Sequence, residues 1–142
     1  MNHFYLSPSS LTYKQYNDIL SKILAYGWTA TFVWPRETFT IDCYLNTSVL
    51  KKAIRALSRT DLYIAHIPGT FSGNIELGMA YTLCEEVFIA AKDPVHFTQT
   101  GPADAYISTL PAIRRVCCAI EDIPAMLEQE YLYLIDIKKH QF

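Results

Sequence analysis

No run of apolar residues in this 142-residue sequence approaches the roughly 18 that a membrane span needs, so a membrane-spanning helix is excluded. There is no block of basic residues either. Twelve Lys and Arg stand against 14 Asp and Glu, for a net charge of -2, and nothing favours a nucleic-acid polymer as partner. The four cysteines, Cys43, Cys84, Cys117 and Cys118, form no CxxC pair. Cys117 and Cys118 are adjacent inside an apolar run, which suits buried thiols of a reducing compartment better than a disulfide or zinc site. The start, Met-Asn-His-Phe-Tyr, lacks the basic residues and apolar stretch of a signal peptide, and the expected location is the cytoplasm. No internal repeat and no low-complexity tract breaks the chain. What is present is 51% hydrophobic and 18% charged residues, the balance of one globular domain spanning residues 1–142.

The order of elements follows from periodicity. His3 to Leu6 reads as a short strand, and Ser7-Pro8-Ser9-Ser10 as a turn that can also cap a helix. Tyr16, Ile19, Leu20, Ile23 and Leu24 form a helical stripe that ends at Gly27. Thr29 to Trp34 reads as a second strand stopped by Pro35, and Arg36 to Asn46 as irregular. Val49, Leu50, Ala53, Ile54 and Leu57 predict a helix capped by Thr47 or Ser48. Leu62 to Ile67 is a β-branched apolar strand ended by Pro68 and Gly69. Ile75, Gly78, Met79 and Leu83 then recur at helical spacing from Asn74 onward. Val87 to Ala91 and Arg115 to Ile120 read as the fourth and fifth strands, and Pro124 suits the first turn of a final helix. Tyr131 to Ile137 fits helix or strand. Five strands alternating with helices predict a three-layer α/β domain with a parallel sheet, Rossmann-like in kind and flavodoxin-like in strand order. Residues 92 to 113 make a segment longer than an ordinary loop, as functional lids and partner-binding elements are.

The stretch from Asp61 to Tyr81 carries the chemistry. It reads as strand, tight turn and helix, with Glu76 near the helix start at the carboxyl end of a parallel strand, where open α/β sheets bind ligands. The helix dipole favours the ionised carboxylate and burial opposes it. A carboxylate between those pressures can act as nucleophile or base on an electrophilic sugar carbon; a first-turn Glu that only complements the dipole is the plainer reading. Gly69, Thr70, Ser72 and Gly73 supply hydroxyls and amides of the kind that cradle phosphate or ribose oxygens, or they make a turn and nothing more. His66, near the end of the same strand, either faces this site or is a hydrogen-bonded core histidine. Trp28, Trp34 and Phe39 fit core or interface better than a stacking platform for a base. Lys51 and Lys52 fit a solvated face better than a contact to phosphate, and Asp104 and Tyr106 lie in the long loop.

The run Gly69-Thr-Phe-Ser-Gly-Asn-Ile-Glu76-Leu-Gly-Met-Ala80, after a strand opened by Asp61, resembles the signature of the nucleoside 2-deoxyribosyltransferase family and its relatives, the deoxynucleoside-monophosphate N-hydrolases. The resemblance extends to Phe4-Tyr5-Leu6-Ser7 and to the order of elements through about residue 120. It implies that Glu76 is a nucleophile forming a glycosyl-enzyme and that Tyr5 orients it through its hydroxyl. It implies no metal and no organic cofactor. Six residues before the glutamate the transferases carry Asp and the monophosphate hydrolases Ser; Thr70 here suits a phosphate oxygen and leans toward a nucleotide. Ser7, Ser9 and Ser10 replace the family's glycines and either bind phosphate or cap the first helix.

The sequence also departs from the family. An Asp about two dozen residues before the nucleophile ordinarily protonates the leaving base; Lys51-Lys52-Ala53 stands there, and Asp42 lies ten residues too early. General-acid help is worth about 10²–10⁴-fold, so its loss leaves a poor enzyme or a binding protein. Two functions are therefore expected: cleavage or transfer at the N-glycosidic bond of a nucleoside or its 5'-monophosphate, or a nucleotide-binding module that senses or sequesters. A purely structural interaction protein is a third. Apolar and aromatic sequence at Phe39 to Leu45, Phe97 to Leu110 and Tyr131 to Ile137 predicts a homo-oligomer, as does the resemblance, since related enzymes complete their sites across subunits; by that resemblance Asp104 and Tyr106 are either lent to a neighbouring subunit's site or, equally, surface residues of an ordinary loop.

Overall fold

The computed structural model describes residues 2–40, 43–97 and 110–132. Five parallel strands form one sheet: β1 (His3–Leu6), β2 (Thr29–Ala30), β3 (Leu62–Ile67), β4 (Glu86–Ala91) and β5 (Ile113–Cys117), in the order β2-β1-β3-β4-β5. The helices are α1 (Tyr13–Leu24), α2 (Thr47–Leu57), α3 (Phe71–Leu83) and α4 (Ile123–Leu127). Helices α1 and α4 pack together, and α2 packs with α3. The fold is a three-layer, flavodoxin-like α/β domain. Strand order reverses between β1 and β3, so the loops leaving those two strands open a crevice at their carboxyl ends.

Local chemistry sets the helix starts. Thr12 caps α1 in a capping box: its Oγ1 accepts from the Gln15 amide at 3.2 Å, and Gln15 Oε1 accepts from the Thr12 amide at 2.9 Å. The serines at 7, 9 and 10 thus do not cap it. Asn46, rather than Thr47 or Ser48, caps α2, its Oδ1 accepting from the Val49 amide at 3.2 Å. Tyr16, Ile19, Leu20 and Ile23 face inward from α1, and Gly27 adopts φ +86°, open to a residue without a side chain.

Two strand expectations and one about the cysteines are corrected. The second strand is two residues long, not six, because the chain leaves the sheet edge after Thr31. The Trp34 amide donates to Tyr16 Oη at 2.9 Å and is unavailable to a ladder, while its indole sinks into the core. The fifth strand runs from Ile113 to Cys117 rather than from Arg115 to Ile120, and Ile120–Asp122 is a 3-10 turn leading into α4. Cys117 is exposed and Cys118 half-buried, against the expectation of two buried thiols; Cys43 and Cys84 are buried, and all four are free. The stretch after Trp34 contains two 3-10 turns, Arg36–Thr40 and Cys43–Leu45. A further 3-10 turn, Pro94–Phe97, opens the long segment after β4, and Glu128–Leu132 is a π-helical turn. Asp42, Asp104, Tyr106, the remainder of the long segment and the tail beyond Leu132 lie outside the described residues. Among the described residues no helix is long and apolar enough to cross a membrane.

Candidate active site

Helix α3 starts at Phe71 with Thr70 as its N-cap, three residues earlier than the apolar spacing suggests. Glu76 therefore sits in the second turn and not the first. The dipole, which acts within the first turn, contributes less to it than the sequence implied. The inward face of α3 is Gly73, Glu76, Leu77 and Ala80, whereas Ile75, Met79 and Leu83 point outward. Small residues let the helix lie close on the sheet, and this brings the Glu76 carboxylate down among the strands.

There Glu76 is only 3% exposed. Tyr5, on β1, donates its hydroxyl to Oε2 at 2.8 Å, and Tyr63, on β3, donates to Oε1 at 2.6 Å. Tyr5 and Tyr63 are register partners on adjacent strands, with rings stacked 5.6 Å apart at 16°. Trp34 Nε1 donates to Tyr5 Oη at 2.9 Å. Tyr5 Oη thus already has a donor, which leaves its own proton to Glu76. Ser7 and Tyr44 complete the hydroxyl ring around the carboxylate.

Burial raises the Glu76 carboxyl above its ordinary value, and the hydroxyls of Tyr63, Tyr5, Ser7 and Tyr44 pull it back only in part. The balance has a plain cause. The carboxylate loses its water shell, neutral hydroxyls replace that shell only in part, and no ion pair with Glu76 forms among the described residues. Tyr5, Tyr63, Tyr44 and Tyr16 are all raised, first by burial and also by the Glu76 charge, and stay neutral.

Two hollows share Tyr44 as a lining residue. One, of about 150 Å³, is lined by Tyr44, Leu50, Ile54, Ser72, Ile75 and Met79 and reaches Glu76. The other, of about 290 Å³, is lined by Pro8, Ser9, Ser10, Phe39, Tyr44 and Thr70, with Leu11 and Cys43. Together they offer an apolar lobe over a carboxylate and a polar lobe over hydroxyls, both at the switch point between β1 and β3.

The turn residues meet closely. Ser9 Oγ accepts from the Thr70 amide at 2.9 Å and lies 3.4 Å from Thr70 Oγ1, which accepts from the Gly73 amide at 3.0 Å. The two hydroxyls thus tie the loop after β1 to the start of α3. If Thr70 donates to Ser9, the Ser9 proton is left for the polar lobe. Ser10 adopts φ +65° and donates to the Pro68 carbonyl at 2.5 Å. Gly69 and Gly73 leave room for Ser9: a Cβ on Gly73 would fall 2.1 Å from Ser9 Oγ. Ser7, expected among the ligand-binding serines, is fully buried and lines neither hollow; its hydroxyl lies 3.3 Å from Tyr44 Oη and accepts from the Ser9 amide at 3.3 Å. Ser72 lines the Glu76 lobe rather than the polar one.

Of the secondary candidates, Trp28 and Trp34 are core, while Phe39 forms one wall of the polar lobe. His66 is half-buried; among the described residues neither ring nitrogen has a hydrogen-bond partner, and it lines neither hollow. Lys51 and Lys52 are exposed on α2. Among the described residues no cluster of three His, Cys, Asp or Glu is set to hold a metal. Sequence reasoning missed Tyr63, Tyr44 and the Trp34 indole. A tyrosine in a strand that is otherwise aliphatic except for His66 is the one signal that pointed to Tyr63. No protein-family model matches this chain, and no curated protein matches it.

Proposed function

We propose that this chain cleaves or transfers the N-glycosidic bond of a nucleoside or nucleoside 5'-monophosphate, with Glu76 as nucleophile. The observation that carries the reading is a buried carboxylate with a phenol on each oxygen, at the base of a hollow beside a polar lobe. In the first step a Glu76 oxygen bonds to the anomeric carbon, the carbon–nitrogen bond breaks, and its electron pair leaves with the base, which takes a proton from water. In the second, water bonds to the anomeric carbon, the ester carbon–oxygen bond breaks, and the carboxylate re-forms as the water's proton goes to solvent. In transfer, a second base replaces the water. The neutral phenols stabilise the carboxylate whenever it is charged, so they favour its ionised form before attack and its departure afterwards. Ser9, Ser10 and Thr70 suit the oxygens of a ribose or phosphate, and Leu50, Ile54, Ile75 and Met79 suit the apolar face of a base.

A second reading is favoured by one observation. Among the described residues no second carboxylate lines either hollow, and a nucleotide-binding module without efficient chemistry has the same pocket. Incubation with a panel of nucleosides and 5'-monophosphates, read as free base, separates the two. Base release from any member supports the enzyme. Melting-temperature shifts without base release favour the binding module.

A homo-oligomer belongs to the same proposal. Phe71, Ile75, Met79 and Leu83 are 81%, 49%, 38% and 46% exposed along one face of α3, and Ile75 and Met79 also border the Glu76 lobe, so a copy seated on this face would close over that lobe. Glu76 is the helix's only charged residue, and it faces inward. A face free of charge can meet its own copy about a two-fold axis without opposing like charges. Sedimentation is expected to give a dimer at micromolar concentration, and Phe71→Glu a monomer. A monomeric parent protein under the same conditions would remove the idea.

A further inference from the structure

We infer that Tyr63 is a positioning residue for Glu76, holding Oε1 from β3 as Tyr5 holds Oε2 from β1. The inference rests on the reading of Glu76 as nucleophile for its catalytic consequence, but not for its geometry. Neighbouring parallel strands bring register partners side by side, and Tyr5 and Tyr63 are such partners. Their rings stack, so their hydroxyls emerge together beneath α3 and reach separate oxygens of one carboxylate, at 2.8 and 2.6 Å. Tyr63 is fully buried, and Glu76 is the acceptor for its proton. A carboxylate gripped at one oxygen can still swing about that bond. Gripped at both, it is held in orientation as well as position, and orientation is what effective nucleophilic attack requires.

The groups facing Glu76 come from several elements: Tyr5 from β1, Ser7 from the loop after it, Tyr44 from the 3-10 turn before α2, and Tyr63 from β3. Tyr16 of α1 and Cys84 at the end of α3 sense its charge. All are neutral donors or neutral bystanders, so removing one phenol leaves no cation to compensate. A Tyr63 that merely fills the core would tolerate loss of its hydroxyl without changing how Glu76 titrates.

The test is titration of carbon-13-labelled glutamate in the full chain, for the parent protein, Tyr63→Phe, and a version with 3-fluorotyrosine in place of Tyr63. The fluorinated ring is nearly the same size and a stronger donor. Tyr63→Phe is expected to raise the Glu76 midpoint by about one pH unit, a tenfold change in acidity. In base release, it should lower kcat by about 10- to 100-fold with KM changed less than about threefold, and the acid limb of the pH profile should move upward with the midpoint. The fluorinated version should move the midpoint down. An unmoved midpoint in folded Tyr63→Phe overturns the inference; should that variant not fold, an unmoved midpoint in the fluorinated protein overturns it equally. If the parent protein releases no base from any nucleotide, the glycosidase reading fails, while the titration still decides whether Tyr63 governs this carboxyl.

Discussion

Glu76→Gln should abolish base release, lowering turnover by roughly 10⁴-fold or more, as loss of a nucleophile does in other enzymes. The amide matches the carboxylate in shape, and its oxygen still accepts from one phenol, while its NH2 faces the other, whose hydroxyl must turn to accept; the helix position is retained, but the amide cannot form the glycosyl ester. The fold should not suffer. A carboxyl raised on folding opposes stability above its folded-state pKa; the opposition fades as pH falls through that value and vanishes below the unfolded-state pKa. The parent protein should therefore lose stability as pH rises through the folded-state value, and Glu76→Gln should lack that loss. Urea denaturation across a pH series reads the difference directly. A variant that is less stable than the parent protein at every pH, with base release unchanged, would make Glu76 a packing residue only. Tyr5→Phe should give a smaller loss of turnover, because it orients the nucleophile without being it.

Gly73→Ala should produce the largest structural effect. The added Cβ would lie 2.1 Å from Ser9 Oγ and 2.5 Å from Ser9 Cβ, against a side chain that the Thr70 amide also holds in place. Overpacking of this kind costs about 1–3 kcal/mol, and here it also pushes the polar lobe's wall outward. Ser9→Gly in the same chain removes both clashing atoms and should restore most of the stability, though not the hydroxyl that the polar lobe presents. Chemical denaturation of the two single variants and the double variant checks this. Additive losses in the double variant would mean that Ser9 and Gly73 do not meet.

Much of the fold was legible because its strands are short, apolar and bounded by turn residues. The stretch from Leu62 to Ile67 followed by Pro68 and Gly69 could be read as strand and turn without reference to partners. The start of α3 was misread for a physical reason. Its outward face carries the large apolar residues Ile75, Met79 and Leu83, while its inward face carries Gly73, Glu76 and Ala80, so apolar spacing marked the wrong side and hid the first turn. The cap itself was visible in Thr70, a hydroxyl ahead of helix-compatible residues. Likewise, aromatic and β-branched residues from Thr29 to Trp34 have strand propensity, but Trp34 is used as a hydrogen-bond donor to two tyrosines, and tertiary contacts outweighed propensity.

The site was half legible. Glu76 and Tyr5 stood out through their surroundings and through resemblance to a known signature, and their hydroxyl–carboxylate contact is present. Tyr63 could not be paired with Glu76 from sequence, because the pairing depends on the register of β1 against β3, which periodicity does not encode. Ser7 looked like its neighbours Ser9 and Ser10 and differs from them only in burial. The tie between Ser9 and Thr70 joins residues 61 positions apart, beyond the reach of any local pattern.

The most direct test of Glu76 as nucleophile is the intact mass of the protein during turnover of a panel of 2'-deoxynucleoside 5'-monophosphates. The account predicts a species heavier by one deoxyribose 5-phosphate unit, with the added mass on the peptide containing Glu76 and no such species in Glu76→Gln. Base release without any adduct, and undiminished in Glu76→Gln, would contradict it.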